Sequence, residues 1–360
     1  VRAIGCIGGG RNMRVLHFAQ TLPGGIASFL NELLPYQTRA YDKVALICPA
    51  AQASLIECDG VEIVPLVKAR RTLRDLYAMR HDLRRHLQAN HYDVIHLHST
   101  FAGIVGRLVP ERRQARVVYC AHGWAQGMDV HPVTKMIYNA AEHALASRAD
   151  VIINVSGAEQ RLALDAGIVE SKCRMIYNGI RKRPWAPLSN GRPHTRLLFV
   201  GRYDRQKGLD VLAHSMKDLA RQGFSLTTIG THVIGRSVVK EMPDGVRDLG
   251  WQPPSVVRRE MEECDLVIVP SRWEGFGLVA AEAMRAGRAV AATNVGGLPE
   301  IVVHGETGVL FRPSSPDEMT EKILMAAPLA RDMGVAARAR YESLFTADRM
   351  FRETHTAYLQ

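Results

Sequence analysis

The run Leu266-Val267-Ile268-Val269-Pro270-Ser271-Arg272-Trp273-Glu274-Gly275-Phe276-Gly277-Leu278-Val279-Ala280-Ala281-Glu282-Ala283-Met284 holds the plan of the whole chain in miniature. Its first residues read as a short buried strand, the segment around Gly275 and Gly277 as a turn, and the alanine-rich remainder as a helix. A strand that feeds a helix through a glycine turn is half of a βαβ unit. The same order recurs outward on both sides, with strands expected at 197–200, 226–229 and 290–292 and helical segments between them. Upstream of these, residues 181–195 carry Pro184, Pro187, Pro193 and Asn190-Gly191, and the alternation stops. It resumes in the first half, with strands expected at 15–19, 44–48, 94–97, 117–120 and 151–155. The expected fold is α/β, two Rossmann-like domains in series with a cleft between them. The boundaries are 13–180 for the N-terminal domain, 181–195 for the linker and 196–345 for the C-terminal domain. Residues 346–360 form a C-terminal helix able to cross back to the N-terminal domain. The glycine-rich residues 1–12 read as a disordered leader ahead of a start at Met13.

A chain of 360 residues suits two such domains. No apolar run approaches the ~20 residues of a membrane-spanning helix. The six cysteines are scattered without Cys-x-x-Cys spacing and read as reduced, structural groups. The net charge of +10 is unevenly placed: residues 1–185 hold 24 Lys and Arg against 15 Asp and Glu, residues 186–360 hold 22 against 21. Such a field attracts nucleic acid, anionic lipid or a phosphorylated ligand. No recognised nucleic-acid-binding motif is present, so nucleic acid is not expected as a partner. Residues 73–87 instead read as an amphipathic helix, with Leu73, Leu76, Tyr77, Leu83 and Leu87 at helical spacing and Arg74, Arg80, Arg84 and Arg85 among them.

Parallel sheets of this kind bind ligands beyond the carboxyl ends of their strands, which singles out four loops. In the run quoted first, the glycines let backbone approach a ligand, and the amides opening the helix suit an anion. Glu274 and Glu282 read, on spacing alone, either as ligands for hydroxyl pairs or as a capping and a solvated position. In Gly201-Arg202-Tyr203-Asp204-Arg205-Gln206-Lys207-Gly208, Arg202 and Lys207 can neutralise a diphosphate. Gly24 and Gly25 occupy the turn after the first strand. His122 stands at the end of another strand, and His98 holds the comparable position one unit earlier.

The Glu, seven residues, Glu pattern of Glu274 and Glu282, opening with Glu274-Gly275-Phe276-Gly277-Leu278, resembles the signature of the family 4 retaining glycosyltransferases, which have the GT-B fold. The resemblance implies that Glu282 binds the donor ribose, Glu274 the transferred sugar, and the amides of Phe276, Gly277 and Leu278 sugar or phosphate. It implies further that Arg202 and Lys207, beside Gly201, hold the donor phosphates. Gly24, Gly25, His98 and His122 would approach the donor from the N-terminal domain, and His122 would lie near the transferred sugar. Ile176-Tyr177-Asn178-Gly179-Ile180 resembles the family's hinge turn.

The implied reaction is retaining transfer of a sugar from a nucleoside diphosphate-sugar to a saccharide acceptor on polyprenyl diphosphate, in bacterial exopolysaccharide, capsule or lipopolysaccharide synthesis. The expected location is cytoplasmic, at an anionic membrane surface. No Asp-x-Asp pair of the metal-bridging kind is present. Neither a metal nor a cofactor is expected. Rival readings are a nucleotide-sugar epimerase or sugar phosphorylase on the same fold, a non-catalytic sugar-nucleotide-binding protein, and a nucleic-acid-binding protein.

Overall fold

The computed structural model describes residues 13–67, 69–70, 72–187, 195–231, 242–243 and 245–360. The expected leader, 1–12, and the 188–194 portion of the expected linker lie outside the described residues. The chain divides into two compact units, one running to Gly179 and including Ala347–Gln360, the other spanning Ile180–Thr346.

The first unit is built on a seven-stranded parallel sheet. Its strands are β1 (Arg14–Ala19), β2 (Lys43–Pro49), β3 (Val61–Leu66), β4 (Val94–His98), β5 (Arg116–Cys120), β6 (Val151–Asn154) and β7 (Cys173–Met175), in the order β3-β2-β1-β4-β5-β6-β7. Helices α1 (Gly25–Ala40), α2 (Leu73–Ala89), α3 (Thr100–Leu108), α4 (Pro132–Ala146) and α5 (Gly157–Asp165) connect them. The second unit has a six-stranded parallel sheet of β8 (Thr195–Val200), β9 (Phe224–Ile229), β10 (Val246–Asp248), β11 (Leu266–Val269), β12 (Ala289–Thr293) and β13 (Gly308–Phe311), ordered β10-β9-β8-β11-β12-β13. Its helices are α6 (Leu209–Arg221), α7 (Pro254–Glu263), α8 (Leu278–Arg285), α9 (Leu298–Ile301), α10 (Pro316–Ala326) and α11 (Ala330–Leu344). The last helix, α12 (Ala347–Leu359), belongs to the first unit and packs on α1.

Successive strand residues face opposite sides of a sheet. In β1 and β4, Leu16, Phe18, Ile95 and Leu97 join one hydrophobic core with Tyr119 and Met79. The residues between them, His17, His96 and His98, therefore share the other face, and His17 is in register with His96. In the second unit Leu197, Phe199, Leu266, Ile268, Ala289 and Ala291 form the corresponding core with α6 and α10.

Four strands not expected from sequence, β3, β7, β10 and β13, are the outermost strands of their sheets. Each is three to six residues long and covered on fewer sides than a central strand, so its apolar signal is weak. A second departure concerns α2. Its buried residues are Asp75, Met79, Leu83 and Leu87, whereas Leu73 is 87% and Tyr77 70% exposed. Residues four apart stack on one helix face, and Tyr77, two residues from Met79, points to the opposite side. Thr72 caps the helix by accepting from the Asp75 amide, which leaves Leu73 at the open first turn.

Candidate active site

The strand order of the first sheet reverses direction between β1 and β4, and the loops leaving their carboxyl ends define its ligand position. After β1, Gly24 (φ 86°) caps α1 and Gly25 opens it, both exposed. No side chain caps this 16-residue helix at Gly24, although the Ala27 amide already donates to the Leu22 carbonyl. After β4 and β5, Ser99 (φ 75°) and His122 (φ 56°) hold left-handed backbone that non-glycine residues seldom adopt. Two such residues at adjacent strand ends are the kind of strain that surrounding structure must hold in place. The turn at His122 is held by Trp124, whose amide donates to Glu159 Oε2 at 2.9 Å and whose indole donates to Asn154 Oδ1 at 2.9 Å.

The histidines are not isolated. His122 Nε2 lies 2.9 Å from His98 Nδ1, and His98 Nε2 lies 2.9 Å from His17 Nδ1. His17 Nε2 lies 2.7 Å from Gln37 Oε1 of α1, and Gln37 Nε2 donates to the Tyr358 hydroxyl of α12 at 3.1 Å. That hydroxyl lies 2.7 Å from His96 Nδ1. Phe29 covers the row, its ring meeting that of His122 edge-on at 4.7 Å. Burial drives the imidazoles toward the neutral form: His17 is lowered to about 4 and His122 to about 3. His96 and His98 fall well below the ordinary value, through burial first and then the neighbouring rings. Among the described residues, His17, His96 and His98 are the group whose ligand atoms, within 4.8 Å of one another, could surround a metal ion.

The second unit presents a different chemistry at its own reversal, between β8 and β11. Lys207 Nζ lies 2.5 Å from Glu274 Oε2, joining the two loops, and Ser271 Oγ donates to the same carboxylate oxygen at 3.3 Å. Arg202 pairs with Asp204 at 2.9 Å and donates to Gln206. Gln206 in turn donates to the Trp273 carbonyl, while its own carbonyl accepts from the Arg272 amide. Arg272 makes a two-pronged pair with Asp210 at 2.9 and 2.7 Å. Partial burial works against the Asp210 charge, but that pairing overrides it and holds the carboxyl below its usual range.

Two glycines make this close approach possible. Gly208 (φ 69°) caps α6, and a Cβ there would stand 2.1 Å from the Pro270 carbonyl oxygen. At Gly296 (φ 52°) a Cβ would stand 1.7 Å from the Glu274 carbonyl oxygen. Gly201, at the end of β8, donates its amide to the Ile229 carbonyl. Gly277 caps α8 and Leu278 opens it, while the Phe276 side chain is buried against Phe345. Glu282 sits in α8, partly exposed.

Sequence reading singled out His98, His122, Arg202, Lys207, Glu274 and Glu282, and passed over His17, His96, Gln37, Tyr358, Ser99, Asp204, Gln206, Asp210 and Arg272. The polar residues Asp204, Gln206, Asp210 and Arg272 lie in or beside the loops already quoted, and their number was an available signal. Gln37 and Tyr358 carried none, being single polar residues on amphipathic helices.

Residues 23–183 match the family model described as Glycosyltransferase Family 4, and residues 194–327 that described as Glycosyl transferases group 1. A Klebsiella pneumoniae protein described as an uncharacterized 41.2 kDa protein in the cps region is 32% identical over 325 residues, covering 86% of this chain and 88% of its own. Sucrose-phosphate synthase from Thermosynechococcus elongatus superposes with a TM-score of 0.83 at 20% identity, over 97% of this chain and 99% of that one. Anabaena HepE in complex with UDP-glucose superposes with a TM-score of 0.80 at 21% identity, over 97% and 100% of the two chains. With two parallel-sheet α/β units of the GT-B class and both halves matched, the chain belongs to the family 4 glycosyltransferases.

Proposed function

We propose that this glycosyltransferase moves a hexosyl group, with retention of configuration, from a nucleoside diphosphate-sugar to a saccharide acceptor carried on a lipid diphosphate during polysaccharide synthesis. The observation that carries the donor half is the Lys207–Glu274 pair within the network of Arg202, Asp204, Gln206, Asp210 and Arg272. In this reading Arg202 and Lys207 take the diphosphate. Glu274, already held by Lys207 and Ser271, takes hydroxyls of the transferred sugar, and Glu282 takes the ribose hydroxyls. The amides of Phe276, Gly277 and Leu278, with Gly201, lie against sugar or phosphate. Prepositioned cations and helix-start amides stabilise the charge that grows on the departing diphosphate without reorganising. They supply what a divalent ion supplies elsewhere, so the reaction is proposed to need no metal. In the same reading the first unit takes the acceptor, and His122, with His98, Gly24 and Gly25, is assigned to binding the sugar.

The UDP-glucose named with HepE supports a nucleotide-sugar donor, and the cps region of the Klebsiella relative supports polysaccharide synthesis. No described helix is long and apolar enough to cross a membrane. Binding at an anionic membrane surface is proposed from the basic first half and from Leu73 and Tyr77, exposed on the arginine-bearing α2. The test is a thermal-shift panel of UDP-, GDP- and ADP-sugars, followed by transfer from the stabilising donor with the anomeric configuration of the product read by NMR. Ligands that bind only the folded state raise its melting temperature. Inverted product, or epimer release from donor alone, would reject the reading.

A further inference from the structure

The hydrogen bonds of the first unit form one unbroken series from His122 through His98, His17, Gln37 and Tyr358 to His96. A neutral imidazole has one donor nitrogen and one acceptor nitrogen, and which is which depends on what the other side binds. An amide carbonyl oxygen only accepts. Because Gln37 turns Oε1 toward His17, His17 carries its proton on Nε2 and leaves Nδ1 as an acceptor. His98 must then donate from Nε2, so its Nδ1 accepts. His122 must in turn donate from Nε2, so its Nδ1 is left with the lone pair. At the other end, Gln37 Nε2 donates to Tyr358, whose hydroxyl proton goes to His96 Nδ1. His17, His96 and His98 are fully buried, so the hydrogen bonds within the series weigh heavily in where their protons sit.

We propose that Gln37 of α1 is a positioning residue that sets the tautomer of His122 through His17 and His98, so that His122 meets its ligand as a hydrogen-bond acceptor through Nδ1. The group received there is accordingly a donor, a sugar hydroxyl rather than a carboxylate or ether oxygen. The hydroxyl half rests on the proposed sugar contact of His122, and the tautomer half does not. The depressed protonation of the row agrees with it, since an imidazolium at His17 or His98 would reverse the rings toward His122, and one at His122 would lose the Nδ1 acceptor.

The experiment is nitrogen NMR of the full chain labelled with 15N-histidine at neutral pH, reading through long-range proton couplings which ring nitrogen carries the proton. His17, His98 and His122 are each expected as the Nε2-protonated neutral form. In Gln37→Met the acceptor is gone, and His122 is expected to populate both tautomers, with transfer slowed about two- to tenfold. In Tyr358→Phe the Gln37 carbonyl still faces His17, so His96 should change and His122 should not. A proton on Nδ1 of His122 in the unaltered protein would overturn the proposal. So would an unchanged His122 in Gln37→Met, or a tightly held equivalent of zinc on His17, His96 and His98, because an ion would turn their lone pairs inward. Should Gln37→Met fail to fold, the unaltered protein and Tyr358→Phe still decide the matter. Absence of sugar transfer would remove the hydroxyl half alone, since the spectra need no substrate.

Discussion

The two units reach the carboxyl ends of their sheets with opposite electrostatic strategies. In the first, rings at His17, His96 and His98, fully buried, and at His122, partly buried, are kept neutral and chained to one another through a single series of hydrogen bonds. In the second, Lys207–Glu274, Arg202–Asp204 and Arg272–Asp210 keep full charges in partly exposed loops and balance each against its opposite. A neutral row can define where protons sit with little long-range field. A balanced set of ion pairs can accept an added diphosphate by sharing its cations. The contrast teaches that one fold, used twice in a chain, specialises through what stands at the strand ends rather than through the sheet.

The largest effect that would test the neutrality of the first unit comes from its one fully buried charge pair among the described residues. Arg107 donates to Glu142 at 2.6 Å, both buried, and Tyr119 donates to the other oxygen of the same carboxylate at 2.8 Å. Arg107→Met strands Glu142 as an unpaired buried charge, and a loss of about 3 to 5 kcal/mol is expected in urea unfolding followed by a probe in the first unit. Retained stability there would mean that the first unit accommodates Glu142 without its cation, and that burial in this unit does not require charge to be paired.

The pH dependence of stability sharpens the same contrast. The unfolded chain binds protons on its histidines below about 6.5, while folded His17 resists until about 4 and His122 until about 3. The unfolded state therefore holds more protons throughout that window, and stability falls as pH falls through it. For His17 the shift amounts to on the order of 3 kcal/mol, fully present above 6.5 and lost by about 4. Melting temperatures of the unaltered protein and of His17→Phe between pH 7 and 4 are the check, with a shallower decline expected in the variant.

A smaller effect belongs to the second unit. Lys207→Ala removes a charge-assisted contact of about 1.5 to 3 kcal/mol, so transfer should slow about ten- to hundredfold while the melting temperature changes little. Unaltered kinetics would separate Lys207 from the donor and leave it as a loop tie to Glu274. Smallest of all, Arg85 pairs with Asp82 on the outside of α2 at 71% side-chain exposure. Arg85→Ala should change stability by less than about 0.5 kcal/mol, while the joint change of Arg80, Arg84 and Arg85 to Glu should weaken salt-reversible sedimentation with anionic vesicles.

The central strands and the loops after β8 and β11 were legible because continuous apolar runs and glycine turns are local signals. Outer strands such as β10, with only Val246 to mark it, were not. The helical stripe of α2 was misplaced for a related reason: leucine at helical spacing does not say which side meets the sheet, and Asp75 went inside while Leu73 stayed out.

By itself the order of residues determined a doubled βα alternation, and it determined which loops carry Glu274, Glu282, Arg202 and Lys207, because strand, turn and helix follow from neighbours in the chain. Tertiary structure alone decided that His17, His96, His98 and His122, up to 105 positions apart, become one row. It also decided that Gln37 and Tyr358, 321 positions apart, lie between His17 and His96. Parallel strands place in register residues that are remote along the chain, and the direction of each imidazole hydrogen bond is set by whichever partner the packing of α1 and α12 brings to it.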